Sequence, residues 1–153
     1  MILWIQLVSL FILALVLGVF WGTWFSLSRS INKVSAQTFL ENGRWFIKNL
    51  AGPMALLMPL TLLLLGLDAW LFPDKGSPGF YLVLAALGLF LATLLITLLV
   101  EVPIDNRIKR WEIHSLPDNW TGLRQKWQRY HTLRTFTCMG SFSLLLFGTL
   151  FYG

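Results

Sequence analysis

The apolar positions of this chain are gathered into long unbroken runs. They show neither the alternation of a half-buried strand nor the single apolar stripe of a surface helix. Four such runs stand at 2–25, 46–67, 79–100 and 135–152. A helix of about twenty apolar residues crosses a hydrocarbon core of about 30 Å, so each run is predicted to be a membrane span. Pro53 and Pro59 fall inside the second run. Proline is tolerated in membrane helices because neighbours satisfy the freed carbonyls, and a kink is predicted there. Pro73, Gly76, Pro78 and Gly79 mark a short turn before the third span. The segment 30–49 mixes Ile31, Val34, Phe39, Trp45 and Phe46 with Arg, Lys, Asn and Gln. That mixture predicts an amphipathic helix lying on the membrane surface. The expected fold is all-α, a four-helix transmembrane bundle with an amphipathic surface helix between spans one and two. It forms a single domain over 1–153.

The last run has a polar approach. Pro117 and Asp118 give a helix start, and nothing from Trp120 to Phe151 forces a stop. Such a helix is about 48 Å long at about 1.5 Å per residue, several turns more than the bilayer core requires. On it Arg124, Trp127, His131, Arg134 and Cys138 recur at spacings of three and four. These positions share an arc of about 80° on a helix. A face carrying arginine and histidine is costly against lipid, so this one is expected to turn toward the bundle or toward the polar inner surface of the membrane.

A second polar cluster follows the third run. Gly76 to Val100 carries no charge, and then EVPIDNRIKRW begins at Glu101. Pro103 disfavours helical geometry at Val102 and cannot donate a backbone hydrogen bond. The helix is expected to end or bend there, aiming Glu101 and Asn106 inward. Antiparallel third and fourth spans bring Glu101 to the depth of Arg134 and His131, which predicts a Glu101–Arg134 ion pair.

Composition agrees with a membrane setting. Only 12% of the residues are charged and 56% are hydrophobic, against about 25% charged in ordinary soluble domains. The net charge of +5 does not point to nucleic acid, because the basic residues flank apolar runs, where an anionic lipid surface is the simpler partner. All but Lys75 of the 12 lysines and arginines lie between span one and the uncharged part of span two, which begins at Asn49, or between spans three and four. The positive-inside rule then puts both long connections in the cytoplasm and both termini outside a multi-pass cell-membrane protein. Met1 to Ser28 lacks a basic n-region and an A-x-A site, so it reads as a retained helix rather than a cleavable signal. Trp21, Trp24, Trp45, Trp111, Trp120 and Trp127 gather toward the basic end, either as interfacial anchors or as the wall of a pocket. Gly18 and Gly22 form a G-x-x-x-G, a close-approach motif for a helix of the same bundle, a second protomer or a membrane-complex partner.

No CxxC, HExxH, GxSxG, P-loop or GxGxxG is present. The sole cysteine, Cys138, precludes an internal disulfide and sits in an apolar run. Glu101, His131 and His114 are the only credible metal donors, and their spacing fits no metal or haem pattern. The expectation is no metal and no cofactor.

The run Glu101-x-Pro-x-x-Asn106-Arg107, then Trp111, Trp120, Trp127, His131, Arg134 and Thr135, resembles the anthrone oxygenase-like family. These are small four-helix membrane proteins, most with no assigned reaction. Glu101 stands where many relatives carry asparagine, so the resemblance implies no role for its carboxylate. Some fungal members are associated with oxidising anthrones to anthraquinones, and the resemblance implies no dedicated metal or flavin. A lipophilic aromatic or quinone-like substrate is thus implied. For such chemistry His131 is the candidate base, and Arg134 or Asn106 the partner of an enolate oxygen. Glu101 would orient either Arg134 or His131. Trp127 and Arg124 are candidate substrate-binding residues. The alternative is a non-enzymatic membrane subunit or scaffold.

Overall fold

The computed structural model describes residues 2–152; Met1 and Gly153 lie outside the described residues. The described residues are overwhelmingly helical. Helix α1 spans Ile2–Ser26 and leads through a 3-10 turn, Ser28–Lys33, to α2, Ala36–Leu71. Helix α3, Pro78–Ile96, passes through a wide π turn, Thr97–Glu101, into the short α4, Val102–Ile108. A 3-10 turn at Ile113–Ser115 precedes α5, Trp120–Tyr152. Four helical stretches are long and apolar enough to cross a membrane.

The helices form a ring in which each packs on the two beside it. Contact is most extensive between α3 and α5, and α1 bridges α5 to α2. The main core runs along the bundle axis through Leu13, Val16, Phe20, Leu65, Phe90 and Leu145. A second core gathers Ile31, Phe39, Ile104, Ile108 and Trp127 at the basic end. The outside of the ring is apolar too: Leu56, Leu63 and Leu99 are each about 70% exposed. An apolar interior and an apolar exterior together are the signature of a bundle whose solvent is lipid.

Two expectations need correction. Residues 30–49 do not form a separate surface helix. Ser35 caps the start of α2, its hydroxyl accepting from Thr38 N–H at 3.1 Å, and one helix of 36 residues follows. Nothing between Ala36 and the apolar run breaks it, and Phe39 and Leu40 bury against the second core instead of lying on a lipid surface. At Pro103, where an end or a bend is expected, the helix does not end. The π turn absorbs the proline, with Val102 N–H reaching back five residues to Thr97 C=O. The wider turn accommodates a ring and a missing donor that a regular α-helix would not.

One close approach fixes the far end of the ring. Ser77 caps α3 with Pro78 in its first turn. At Gly79 an added methyl would collide with Tyr152 and lie 2.9 Å from the Phe72 ring. Glycine is what allows α3 and α5 to touch there.

Candidate functional site

The π turn delivers Glu101 to the bundle interior, where it is fully buried. Opposite it, α5 turns inward the face that its spacing predicts: Arg124, Trp127, His131, Arg134 and Cys138 are all buried. Arg134 Nη2 stands 3.1 Å from Glu101 Oε2, the predicted ion pair. The approach is off-axis, and neither Glu101 oxygen receives a hydrogen bond. The contact is therefore a charge pair rather than a directed bond. Arg134 spends its directed donors elsewhere. Nε and Nη2 lie 3.1 and 2.8 Å from His131 Nδ1, and Nη1 reaches Thr97 Oγ1 at 3.4 Å. Its guanidinium also sits over the Phe20 ring, 4.7 Å from the centroid.

These contacts settle the histidine tautomer. Arginine offers only donors, so Nδ1 accepts, and the neutral imidazole carries its proton on Nε2. Nε2 is buried and has no partner among the described residues. The ring lies flat on Trp127, with centroids 5.0 Å apart and planes 1° from parallel. Trp127 in turn donates its indole N–H to Asp105 Oδ1 at 3.1 Å. One chain of contacts therefore runs Glu101–Arg134–His131–Trp127–Asp105 across the π turn, α4 and α5.

A cavity of about 110 Å³ opens onto this chain at the basic end of the ring. Its walls are chiefly apolar, from Phe20, Phe46, Leu50, Met54 and Met58, and its polar footing is His131, Arg134, Asp105 and Thr97. A concave apolar space with a few convergent polar groups is the usual form of a small-molecule site.

Not every candidate from the sequence meets there. Asn106 is exposed and away from the cavity, its amide oxygen 3.4 Å from Lys109 Nζ. The helix continues past Pro103, so Asn106, five residues beyond Glu101, turns about 140° away from it, whereas Asp105 turns only about 40°. Arg124 is buried but braces the fold: it donates to Val34 C=O at 3.2 Å and stacks over Trp120. Glu101 stands behind Arg134 and is not itself on the cavity wall. His114 is exposed on its 3-10 turn. Sequence reading missed Asp105, although it lies within the polar run after Val100. Its available signal was the i, i+4 spacing from Glu101 to Asp105, legible only if the helix is allowed to run through the proline.

Fold and site together define a four-helix bundle of membrane-spanning length with an interior cavity footed on an arginine–histidine pair. The family model for anthrone oxygenase matches residues 43–144. That is more than half of the chain, and the protein belongs to the anthrone oxygenase family. The matched stretch contains α3, the π turn, α4, the α5 stripe and most of the cavity's polar footing. No curated protein and no solved structure matches.

Proposed function

We propose that this protein oxidises a lipophilic, planar aromatic molecule with dioxygen, in the cavity at its basic end. The observation that carries this reading is the cavity itself, apolar on its walls and meeting His131, Arg134 and Asp105 at its foot. An anthrone has an acidic methylene beside a ring-conjugated carbonyl. Loss of one proton gives an enolate that is electron-rich enough to react with dioxygen directly. The carbanion carbon and dioxygen form a C–O bond, and protonation gives a hydroperoxide. Loss of the second C–H proton with cleavage of the O–O bond then yields the quinone carbonyl and water. The sum is one CH2 and one O2 converted to one C=O and one H2O, and dioxygen supplies all the oxidising power.

The protein's part is to take a proton, hold an oxyanion and exclude water. Arg134 occupies His131 Nδ1, which leaves Nε2–H as the free donor of a residue that lines the cavity, available to an enolate oxygen. The base is then the carboxylate on the wall, Asp105, with Trp127 holding one of its oxygens. Arg134 supplies positive charge beside the developing enolate, and Glu101 balances that charge from behind. Within this reading His131 acts as a donor, not as the base that its sequence position suggests. The positive-inside rule, applied to the same basic residues, puts the cavity at the cytoplasmic interface, where a substrate dissolved in lipid arrives without entering water.

The test is oxygen uptake by the protein in nanodiscs with an anthrone substrate, beside empty nanodiscs to correct for spontaneous oxidation. Uptake faster than the blank is expected. It should fall by about 10²-fold or more in Asp105→Asn or His131→Ala, the usual scale for losing a proton-transfer group or an oxyanion donor. A second reading, a non-enzymatic membrane subunit, draws on the fact that Glu101, Arg134 and His131 also satisfy one another. Uptake no faster than the blank across a panel of anthrones and hydroquinones would favour it.

A further inference from the structure

The cavity carries its polar groups on one wall and its opening on another. Asp105, His131 and Arg134 stand on α4 and α5, and the last two are buried. Of the residues that line the cavity, only Phe46 and Ala51 are exposed, and both belong to α2. A residue that is exposed and also lines an interior space marks where that space meets its surroundings.

The sequence of α2 sets the depth of this opening. Lys48 is the last basic residue of the helix, and its Nζ lies 5.7 Å from the centroid of the Trp45 ring. Lysine and tryptophan side by side are usual anchors in the headgroup layer. From Asn49 to Leu67 the helix carries no charge. Ala51 therefore stands within one turn of the headgroups, on their hydrocarbon side, and its surroundings there are acyl chains. Phe46 and Ala51 flank the cavity face of α2, about 140° apart around the helix. Phe46 covers its margin with a ring, whereas Ala51 covers the other with a single methyl group. Met58, two turns along from Ala51 on the same face, also lines the cavity but is only 3% exposed.

We propose that the substrate enters this cavity sideways from the bilayer, beside α2, and that Ala51 is a specificity-determining residue whose small side chain leaves the way open. The identity of the substrate as a planar aromatic rests on the oxidation reading; the route does not. Polarity orients the entering molecule. Its oxygen-bearing edge leads toward His131, Arg134 and Asp105, and its apolar edge trails toward the lipid. A molecule with a charged or strongly hydrated group on the trailing edge would leave that group in hydrocarbon, which is costly, so the route selects molecules polar along one edge only.

The test uses the whole protein in nanodiscs whose lipid contains an aryl diazirine, an apolar aromatic probe that inserts into neighbouring side chains on illumination. Mass spectrometry is expected to find the label on Met58 in the wild type and to lose it in Ala51→Phe. Leu56, 69% exposed on the outside of the same helix, should be labelled equally in both, which checks dose and fold. An exposed position accepts a larger side chain at little cost, and Ala51→Leu replaces the phenylalanine variant if that one does not fold. A Met58 that stays unlabelled in the wild type, or is labelled equally in both proteins, would overturn the route. In the oxygen-uptake assay, Ala51→Phe should lower kcat/KM for a tert-butyl-substituted anthrone about 10-fold more than for anthrone itself. Uptake that falls equally for the two substrates would overturn the role of Ala51 in specificity. Label on Met58, lost in Ala51→Phe, with no uptake by the wild type would leave the route standing and sink the oxidation alone.

Discussion

At the scale of single residues, the molecule turns on one arginine. Arg134 has a carboxylate on one side and an imidazole on the other, and it satisfies them unequally: charge for Glu101, directed hydrogen bonds for His131. Removing one member of a buried ion pair costs about 3–5 kcal/mol, because the survivor is left charged without compensation. Arg134→Gln is therefore expected to destabilise the protein by that order. Glu101→Gln should cost less, because the arginine keeps His131 and Thr97 as partners. The double variant Glu101→Gln/Arg134→Gln should recover at least about 1 kcal/mol relative to the sum of the two. Unfolding in mixed micelles of increasing denaturing-detergent fraction measures all three, and additivity would show that the pair is energetically uncoupled. The stripe that bears Arg134 was legible in the sequence because it lies on one helix, where spacings of three and four fix a face. Asp105 was not, because its meaning depends on the register between helices, which no single run of residues encodes.

At the scale of elements, the junction between α3 and α4 decides what enters the site. Pro103, at the polar end of an apolar run, reads as an end or a bend, and the sequence alone offers no way to see that a π turn will carry the helix through. That turn is why Glu101 and Asp105 face inward and Asn106 does not. Replacing the proline removes the reason for the wide turn. Pro103→Ala is expected to keep the helix content while weakening the coupling between Glu101 and Arg134, read by the same double-variant cycle in the Pro103→Ala background. Unchanged coupling would show that the π turn is held by its neighbours instead. Glycines separate in the same way. Gly79 lies where α3 and α5 touch, so Gly79→Ala should destabilise by about 1–3 kcal/mol through overpacking, checked by thermal unfolding. Gly18 and Gly22 have open space where a side chain would stand. Their G-x-x-x-G therefore does not serve packing within this bundle, and alanine at either position should leave the stability of the single chain within about 0.5 kcal/mol.

At the scale of the whole molecule, the number and placement of the spanning helices followed from apolar run length, because lipid imposes one simple requirement on every span. Orientation rests on different physics, the unequal distribution of lysine and arginine between the two ends. That distribution predicts a direction, with the cavity toward the cytoplasm and the turn between α2 and α3 toward the outside. The single cysteine makes that direction measurable. Cys138 is fully buried, and replacing it with serine leaves a background without thiols. In that background Lys75→Cys probes the turn between α2 and α3, and Arg110→Cys probes the basic connection between α4 and α5; both positions are exposed. A membrane-impermeant maleimide applied to intact cells should label Lys75→Cys and leave Arg110→Cys untouched until the membrane is opened. The reverse pattern would place the cavity on the outer face. Its substrate would then have to come from outside the cell or from the outer leaflet. The one labelling experiment thus constrains where the substrate is met, because the cavity lies at the basic end of the ring.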